Sequence, residues 1–195
     1  MTDLISDQSS PPGLAAPGCG EAILDRPSGL VTPSSVRSVA IASDHRGVRV
    51  KQQIVEFLKS RSLDVTDFGT VGDEACDYPD YARPVAIAVA ERRVDRGILI
   101  CGTGMGMNIA ANKFRGIRAV QIHDDVTAEI SRRHNDANVM CLSAELIGDR
   151  LLSRMIEVWL DTPFEGGRHQ RRLDKVHETE CGDIAEQSLA AEPTA

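Results

Sequence analysis

The chain has 195 residues, 42% hydrophobic and 26% charged, which is enough for one soluble domain with a sizeable core. Its net charge of −7 argues against general binding to nucleic acid or to an anionic membrane surface, because both need a basic face. No apolar run reaches the roughly 18 residues of a membrane helix, and no apolar signal segment opens the chain, so we expect a cytoplasmic protein.

The two ends of the chain differ in composition from the region between them. Residues 1–36 are rich in Pro, Gly, Ser and Asp and hold few large apolar side chains, which predicts a flexible extension. Residues 182–195 form a small-residue, acidic tail that we also expect to be flexible. Residues 37–181 are therefore predicted to be the folded domain.

Along this domain, short apolar runs typical of strands alternate with segments whose apolar residues recur at helical spacing. The predicted strands are 38–43, 65–68, 97–101, 117–122 and 139–143. The predicted helices lie around Val50–Leu58, at 84–90, at 106–114, along the stripe Val126, Ile130 and His134, along Ile147–Trp159, and near 170–180. This alternation predicts an α/β fold, a single doubly wound (Rossmann-like) domain with a five-stranded, mainly parallel sheet and a C-terminal helical arm.

The strongest local signal is the glycine-rich segment CGTGMGM at 101–107, between a buried strand and a helix. Its glycines let the backbone approach a ligand and turn N–H groups toward negative charge, and the helix N-terminus adds positive potential. A cysteine at its mouth can act as nucleophile or general base beside an oxyanion hole. This arrangement fits enolisation next to a carbonyl and acyl transfer equally well.

Other loops with similar spacing lack their key residue here. Position 107 is methionine, where a P-loop needs lysine, a dinucleotide fingerprint needs glycine and a thiol phosphatase needs arginine. The five cysteines form no CxxC pair and no zinc pattern. Nucleotide binding, phosphatase chemistry and a zinc centre are thus not predicted.

Three further groups of polar residues are candidates, each with a structural alternative. Asp44 and His45 follow the first strand at the ligand edge, although Asp44 could serve only as a helix cap. His134 ends an apolar stripe, where a histidine is commonly a partly buried structural residue. The basic cluster at 168–172 could be a solvated face or a phosphate clamp.

Taken together, these motifs resemble the ribose-5-phosphate isomerase B family, which includes allose-6-phosphate and galactose-6-phosphate isomerases. The resemblance covers residues 39–176 and leaves out both tails. It rests on SDHRG at 43–47, DYPDY at 77–81, ICGTGMGMNIAANKF at 100–114, GIRAV at 116–120, RHNDAN at 133–138 and EGGRHQRR at 165–172.

The resemblance implies a role for each matching residue. Cys101 would move a proton between C1 and C2 of the open-chain sugar phosphate, Thr103 would steady the reacting groups, and His134, assisted by Asp44, would open the furanose ring. The remaining residues would bind substrate: His45, Tyr78, Gly102, Gly104, Met105, Gly106, Asn135, Arg168, His169 and Arg172. No metal or organic cofactor is implied, and the expected assembly is a homodimer or homotetramer with sites shared between subunits.

One position departs from the family pattern. Several relatives carry arginine in the turn after the fifth strand, where this chain has Glu145, which would repel a phosphate if it faced the site. The leading prediction is isomerisation of ribose 5-phosphate to ribulose 5-phosphate through a cis-enediol. The alternatives are the same reaction on a hexose 6-phosphate, a non-catalytic phosphosugar-binding module, and a thiol-dependent hydrolase.

Overall fold

A computed structural model of the chain describes residues 36–182. The predicted extension and acidic tail lie outside the described residues, apart from positions 36 and 182. The strands are β1 Ser38–Ser43, β2 Asp64–Asp67, β3 Arg96–Cys101, β4 Ala119–Gln121 and β5 Val139–Ser143. The helices are α1 Val48–Ser60, α2 Tyr78–Ala90, α3 Met105–Ala111, α4 Asp125–Asn135, α5 Asp149–Asp161 and α6 Arg168–Cys181.

The five strands form one parallel sheet in the order β2-β1-β3-β5-β4. The predicted doubly wound α/β architecture and the C-terminal helix are thus confirmed. The chain builds outward from β1 in one direction and from β3 in the other, so the order reverses between these two strands. Ligands in such sheets bind beyond the carboxyl ends of the strands at this reversal point. Across residues 36–182, none of the helices has the length and apolarity needed to cross a membrane.

Strand β3 lies at the centre of the sheet and is buried along its whole length. Its side chains alternate between two apolar clusters, one on each face of the sheet. Ile98 and Ile100 pack in the cluster that contains Trp159 of α5, whereas Leu99 and Cys101 pack in the cluster under α2 and α3. The predicted base therefore projects toward the face covered by α2 and α3.

Helix α2 begins six residues earlier than the sequence analysis predicted. We expected Pro84 in its first turn, but the helix starts at Tyr78, with a second proline, Pro79, in the first turn and Pro84 inside the helix. A proline inside a helix removes one backbone hydrogen bond but does not prevent the helix where packing compensates. Four of the buried α2 residues (Ala82, Val85, Ala86 and Val89) supply that packing in the cluster with β3.

Helix α4 forms where it was predicted, but the stripe that predicted it is not its buried face. Val126 and Ile130 are 59% and 42% exposed, whereas Ala128, Ser131 and Arg132 are buried. Arg132 is stable in the interior because it pairs with Asp136 and donates to the carbonyl of Ala137. In the single chain, the apolar stripe of α4 therefore faces outward.

The central strand leaves no room for a side chain at Gly97. A Cβ atom there would lie 2.8 Å from Val85 Cγ1 and 3.1 Å from Val139 Cγ2. Overpacking a buried strand typically costs 1–3 kcal/mol, so we expect Gly97→Ala to lower the free energy of unfolding by about 2 kcal/mol. Urea denaturation followed by circular dichroism measures this. Gly72→Ala is the matched control, because nothing lies within 4 Å of its Cβ position; equal midpoints for the two variants would contradict the packing argument.

Candidate active site

The glycine-rich turn places the Cys101 thiol among backbone donors. Cys101 is the last residue of β3, and its Sγ accepts a hydrogen bond from the backbone N–H of Gly104 at 3.1 Å. Gly104 has φ 82°, a conformation that favours glycine, and α3 begins at the next residue, Met105. The turn therefore brings the thiol, a helix N-terminus and backbone N–H groups together at the carboxyl edge of the sheet.

Neighbouring strands hold the turn in place through its carbonyl groups. Ser143 Oγ donates to the carbonyl of Gly102 at 2.6 Å, and Gln121 Nε2 donates to the carbonyl of Thr103 at 2.6 Å. The Thr103 hydroxyl accepts from the N–H of Met105 at 3.3 Å. The side chains of Thr103 and Met105 are exposed, so both face the open side of the turn.

A second cysteine lies behind Cys101 and differs from it in environment. Cys141 of β5 is fully buried, and burial, followed by the neighbouring Cys101, raises the pKa of the Cys141 thiol far above its usual value. Cys141 is therefore a neutral core side chain at physiological pH. Of the two thiols packed in this cluster, only that of Cys101 stands at the sheet edge where the glycine turn begins.

The turn after β1 fixes the orientation of His45. The Asp44 carboxylate accepts from the backbone N–H of Arg46 at 2.9 Å and so caps a short 3-10 turn, as one of the sequence interpretations proposed. His45 Nδ1 accepts from the backbone N–H of Cys76 at 3.2 Å. A neutral His45 ring then carries its proton on Nε2 and can donate to an anion. No local sequence pattern indicates this contact, because Cys76 lies 31 positions away from His45.

Tyr78 completes the cluster at the carboxyl edge. A Cβ atom on Gly106 would lie 2.8–2.9 Å from atoms of the Tyr78 ring, so the ring rests directly on that glycine. Tyr78 opens α2, and Gly106 is the second residue of α3. The structure thus brings eight predicted site residues to the carboxyl edge beside Cys101, where such sheets form their ligand crevice: Asp44, His45, Tyr78, Gly102, Thr103, Gly104, Met105 and Gly106.

The other predicted residues gather at the opposite edge of the sheet. Helix α4 starts just after β4 and ends at Asn135, just before β5, so His134 lies at the amino edge. The His134 ring stacks on that of His169 with centroids 4.1 Å apart. Arg118, which precedes β4, donates through Nε to the carbonyl of Asn135 at 3.1 Å. Arg168 and Arg172 lie in the first two turns of α6, beside the histidine pair.

Charge around the histidine pair is set by Glu165. Hydrogen bonding from Arg133 holds the pKa of Glu165 below its usual value, so it stays a carboxylate. Burial, followed by His134 and Arg168, lowers the pKa of His169. His169 is therefore neutral near pH 7, consistent with its Nε2 accepting from Arg168 Nε at 3.3 Å. The amino-edge cluster combines a neutral imidazole, a carboxylate and arginines.

The ligand atoms of His134, Glu165 and His169 lie within 4.8 Å of one another, close enough in principle for a metal ion. Their orientation does not suit one, because the two rings are parallel within 4° and their lone pairs do not converge on one point. Arg168 also donates to His169 Nε2. The chemistry of this cluster fits proton transfer and anion binding better than metal coordination.

The two clusters cannot meet within one chain. Helix α4 has 11 residues and connects the two edges, so its length of about 16 Å separates the carboxyl edge from His134. The predicted assistance of His134 by Asp44 is therefore absent within the single chain. Each chain therefore holds the predicted site residues in two separate groups, the predicted half-sites: one with Cys101 at the carboxyl edge, the other with His134 and the α6 arginines at the amino edge.

Glu145 does not stand alone at the site. Its carboxylate pairs with the guanidinium of Arg46, so the negative charge that would repel a phosphate is neutralised by a neighbouring positive charge. The sequence analysis identified Glu145 as a departure but missed Arg46 as its partner. The two residues are 99 positions apart, so no local pattern pairs them.

Comparisons with known proteins agree on one family. A model described as Ribose/Galactose Isomerase matches residues 39–176. Ribose-5-phosphate isomerase B of Escherichia coli is 46% identical over 141 residues, which cover 72% of this chain and 95% of that protein. A solved ribose-5-phosphate isomerase B of Clostridium thermocellum aligns with TM-score 0.73 and 47% identity, over 73% of this chain and 97% of that chain. A Mycoplasma genitalium structure with bound ribulose-5-phosphate aligns with TM-score 0.73 and 42% identity, over 75% and 97%.

Proposed function

Because this chain belongs to the Ribose/Galactose Isomerase family and is an isomerase of the ribose-5-phosphate isomerase B type, we propose that it interconverts ribose 5-phosphate and ribulose 5-phosphate through a cis-enediol, with Cys101 as the base. The observation that carries the proposal is the Cys101 thiol at the mouth of the glycine turn, hydrogen-bonded by the N–H of Gly104. The bound ribulose-5-phosphate of the Mycoplasma genitalium relative supports the choice of a pentose phosphate.

The carboxyl-edge half-site supplies the groups that enolisation needs. The Cys101 thiolate removes the C2 proton of the open-chain aldose, and the electron pair moves to the C1 oxygen to give an enediolate. The backbone N–H groups between Gly102 and Gly106 stabilise the negative oxygen, and one such donor is typically worth about 3 kcal/mol. The proton of the C2 hydroxyl passes to the C1 oxygen, which leaves the negative charge on the C2 oxygen. Cys101 then returns its proton to C1 as the C2 carbonyl forms, which gives the ketose.

Ring opening requires the other half-site, and we place it in a second copy of the chain. His134, assisted by Asp44, moves a proton from the anomeric hydroxyl to the ring oxygen as the bond between C1 and that oxygen breaks. Asn135, Arg168, His169 and Arg172 contact the sugar and its phosphate. This arrangement places His134 of one subunit beside Asp44 of the other, which a single chain does not allow.

An exposed apolar surface supports this assembly. Met105 and Ile109 of α3 are 54% and 60% exposed, and Val126 and Ile130 of α4 are also exposed. Apolar side chains spaced four residues apart on two helices are typical of a face that packs against another subunit. We therefore propose a homodimer or a homotetramer in which these faces are buried and each Cys101 crevice receives α6 of a neighbour.

Turnover by the purified protein tests the proposal. Ribose 5-phosphate, allose 6-phosphate and galactose 6-phosphate are assayed side by side, and we expect kcat/KM to be highest for ribose 5-phosphate. Hexose turnover without pentose turnover would keep the chemistry and overturn the substrate, an alternative that the family description, Ribose/Galactose Isomerase, leaves open. Binding of all three without turnover would favour the non-catalytic phosphosugar module.

A further inference from the structure

An ion pair that belongs to neither predicted half-site lies against the glycine turn. Arg46 stands in the 3-10 turn after β1, directly after His45, and Glu145 stands in the turn after β5. Both Nε and Nη2 of Arg46 contact the same carboxylate oxygen, Oε1 of Glu145. The pair therefore bridges the ends of two strands on either side of Cys101.

The pair rests on the backbone of the residue that follows Cys101. A Cβ atom on Gly102 would lie 3.0 Å from Arg46 Nε, 3.1 Å from Arg46 Cδ and 3.2 Å from Glu145 Oε1. These distances are shorter than a Cβ atom normally makes, so the side chains of Arg46 and Glu145 would have to shift if residue 102 carried one. The positive charge of Arg46 is thus held next to the backbone donors that face the crevice.

The pair is too exposed for stability to be its main role. The side chains of Arg46 and Glu145 are 56% and 42% exposed, and exposed ion pairs typically contribute no more than about 1 kcal/mol. A guanidinium has five N–H donors, and Glu145 engages two of its nitrogens through one oxygen. Arg46 therefore retains N–H donors for a second acceptor without leaving Glu145.

We propose that Arg46 binds the phosphate of the substrate from the same subunit as Cys101, and that Glu145 positions Arg46 on the glycine turn. The proposal rests on the proposed function and adds a residue to its binding site. A planar guanidinium suits bidentate contact with a phosphate. The ring of the adjacent His45 accepts from Cys76 through Nδ1, which leaves Nε2 as the ring nitrogen that can donate to the same anion. Glu145 aligns the guanidinium instead of repelling the substrate.

The test compares Arg46→Ala and Glu145→Gln with the wild type, using both kinetics and binding. The control is Arg93→Ala, since Arg93 pairs with Glu91 on an exposed surface in the same way but precedes β3 at the other edge of the sheet. Steady-state assays give KM and kcat for ribose 5-phosphate. Calorimetry gives its affinity without requiring turnover, and competition gives the inhibition constant of inorganic phosphate.

A charge-assisted hydrogen bond is worth about 1.5–3 kcal/mol. We therefore expect Arg46→Ala to weaken the binding of ribose 5-phosphate and of inorganic phosphate at least about 10-fold. We expect KM to rise with kcat nearly unchanged, because the contact is lost equally in ground and transition states. Glu145→Gln should weaken binding by a smaller factor, because Arg46 keeps its charge but loses its alignment. Arg93→Ala should match the wild type.

Arg46→Ala with the affinity of the Arg93→Ala control would overturn the phosphate contact. Tighter binding by Glu145→Gln would overturn the positioning role, because it would show that the carboxylate competes with the substrate. Wild-type protein that binds ribose 5-phosphate without isomerising it would refute the proposed function yet still allow the Arg46 comparison by calorimetry. Wild-type protein that binds neither ribose 5-phosphate nor inorganic phosphate would refute both.

Discussion

Replacement of Cys101 by serine or alanine is expected to lower kcat for ribose 5-phosphate by at least about 100-fold, because a general base typically contributes 10²–10⁴-fold. Neither the hydroxyl of serine nor the methyl group of alanine can take up the C2 proton as the cysteine thiolate does. The backbone N–H groups and the polar residues of the crevice remain, so substrate affinity should change little. Steady-state kinetics with a coupled ribulose 5-phosphate assay, together with calorimetric binding, measures both effects.

The matched control is the other thiol in the same cluster. Cys141 is fully buried and held neutral, so Cys141→Ala should retain kcat within a few-fold of wild type even if some stability is lost. A second check is the exchange of a C1 proton of ribulose 5-phosphate with solvent deuterium. Cys101→Ser should slow this exchange in parallel with turnover. Near wild-type turnover by Cys101→Ser would remove Cys101 from the role of base.

The sequence predicted the sheet well because its strands carry their own signals. Each of the three central strands is a short, almost wholly apolar run, and β1 and β5 have the predicted limits. The limits of the helices are harder to predict from the sequence. The start of α2 was misplaced because two prolines offered two possible first turns, and only packing against β3 decides between them.

The glycine turn could also be predicted, because Cys101 and the glycines through Gly106 are adjacent in the sequence. Contacts between distant segments could not. The pairing of Arg46 with Glu145 and the bond from Cys76 to His45 depend on how turns meet at the sheet edge, which no local spacing encodes. The wide separation of His134 from Cys101 follows only from knowing that α4 runs from one edge of the sheet to the other.

This separation leads to the second large effect, at His134. We expect His134→Asn to lower kcat/KM for ribose 5-phosphate by about 100-fold, because loss of a general acid removes ring opening. Ribulose 5-phosphate has no free 5-hydroxyl and cannot form a furanose. The initial rate of its conversion to ribose 5-phosphate should therefore fall much less. Measuring both directions separates ring opening from proton transfer; equal losses would argue against a ring-opening role.

Mixing two inactive variants tests whether the site is shared between subunits. In a mixed dimer of Cys101→Ser and His134→Asn chains, one crevice receives both substitutions and the other receives neither. Random pairing makes about half of the dimers mixed, each with one intact site, so activity should return to about a quarter of wild type. A mixture of Cys101→Ser with the double variant contains no intact site and should stay inactive. If mixed dimers form, as native mass spectrometry can show, and no activity returns, the two half-sites do not act together. Recovery of activity would mean that Cys101 and His134, which lie far apart within one chain, meet across the interface between two subunits. The dimer would then be the smallest active unit.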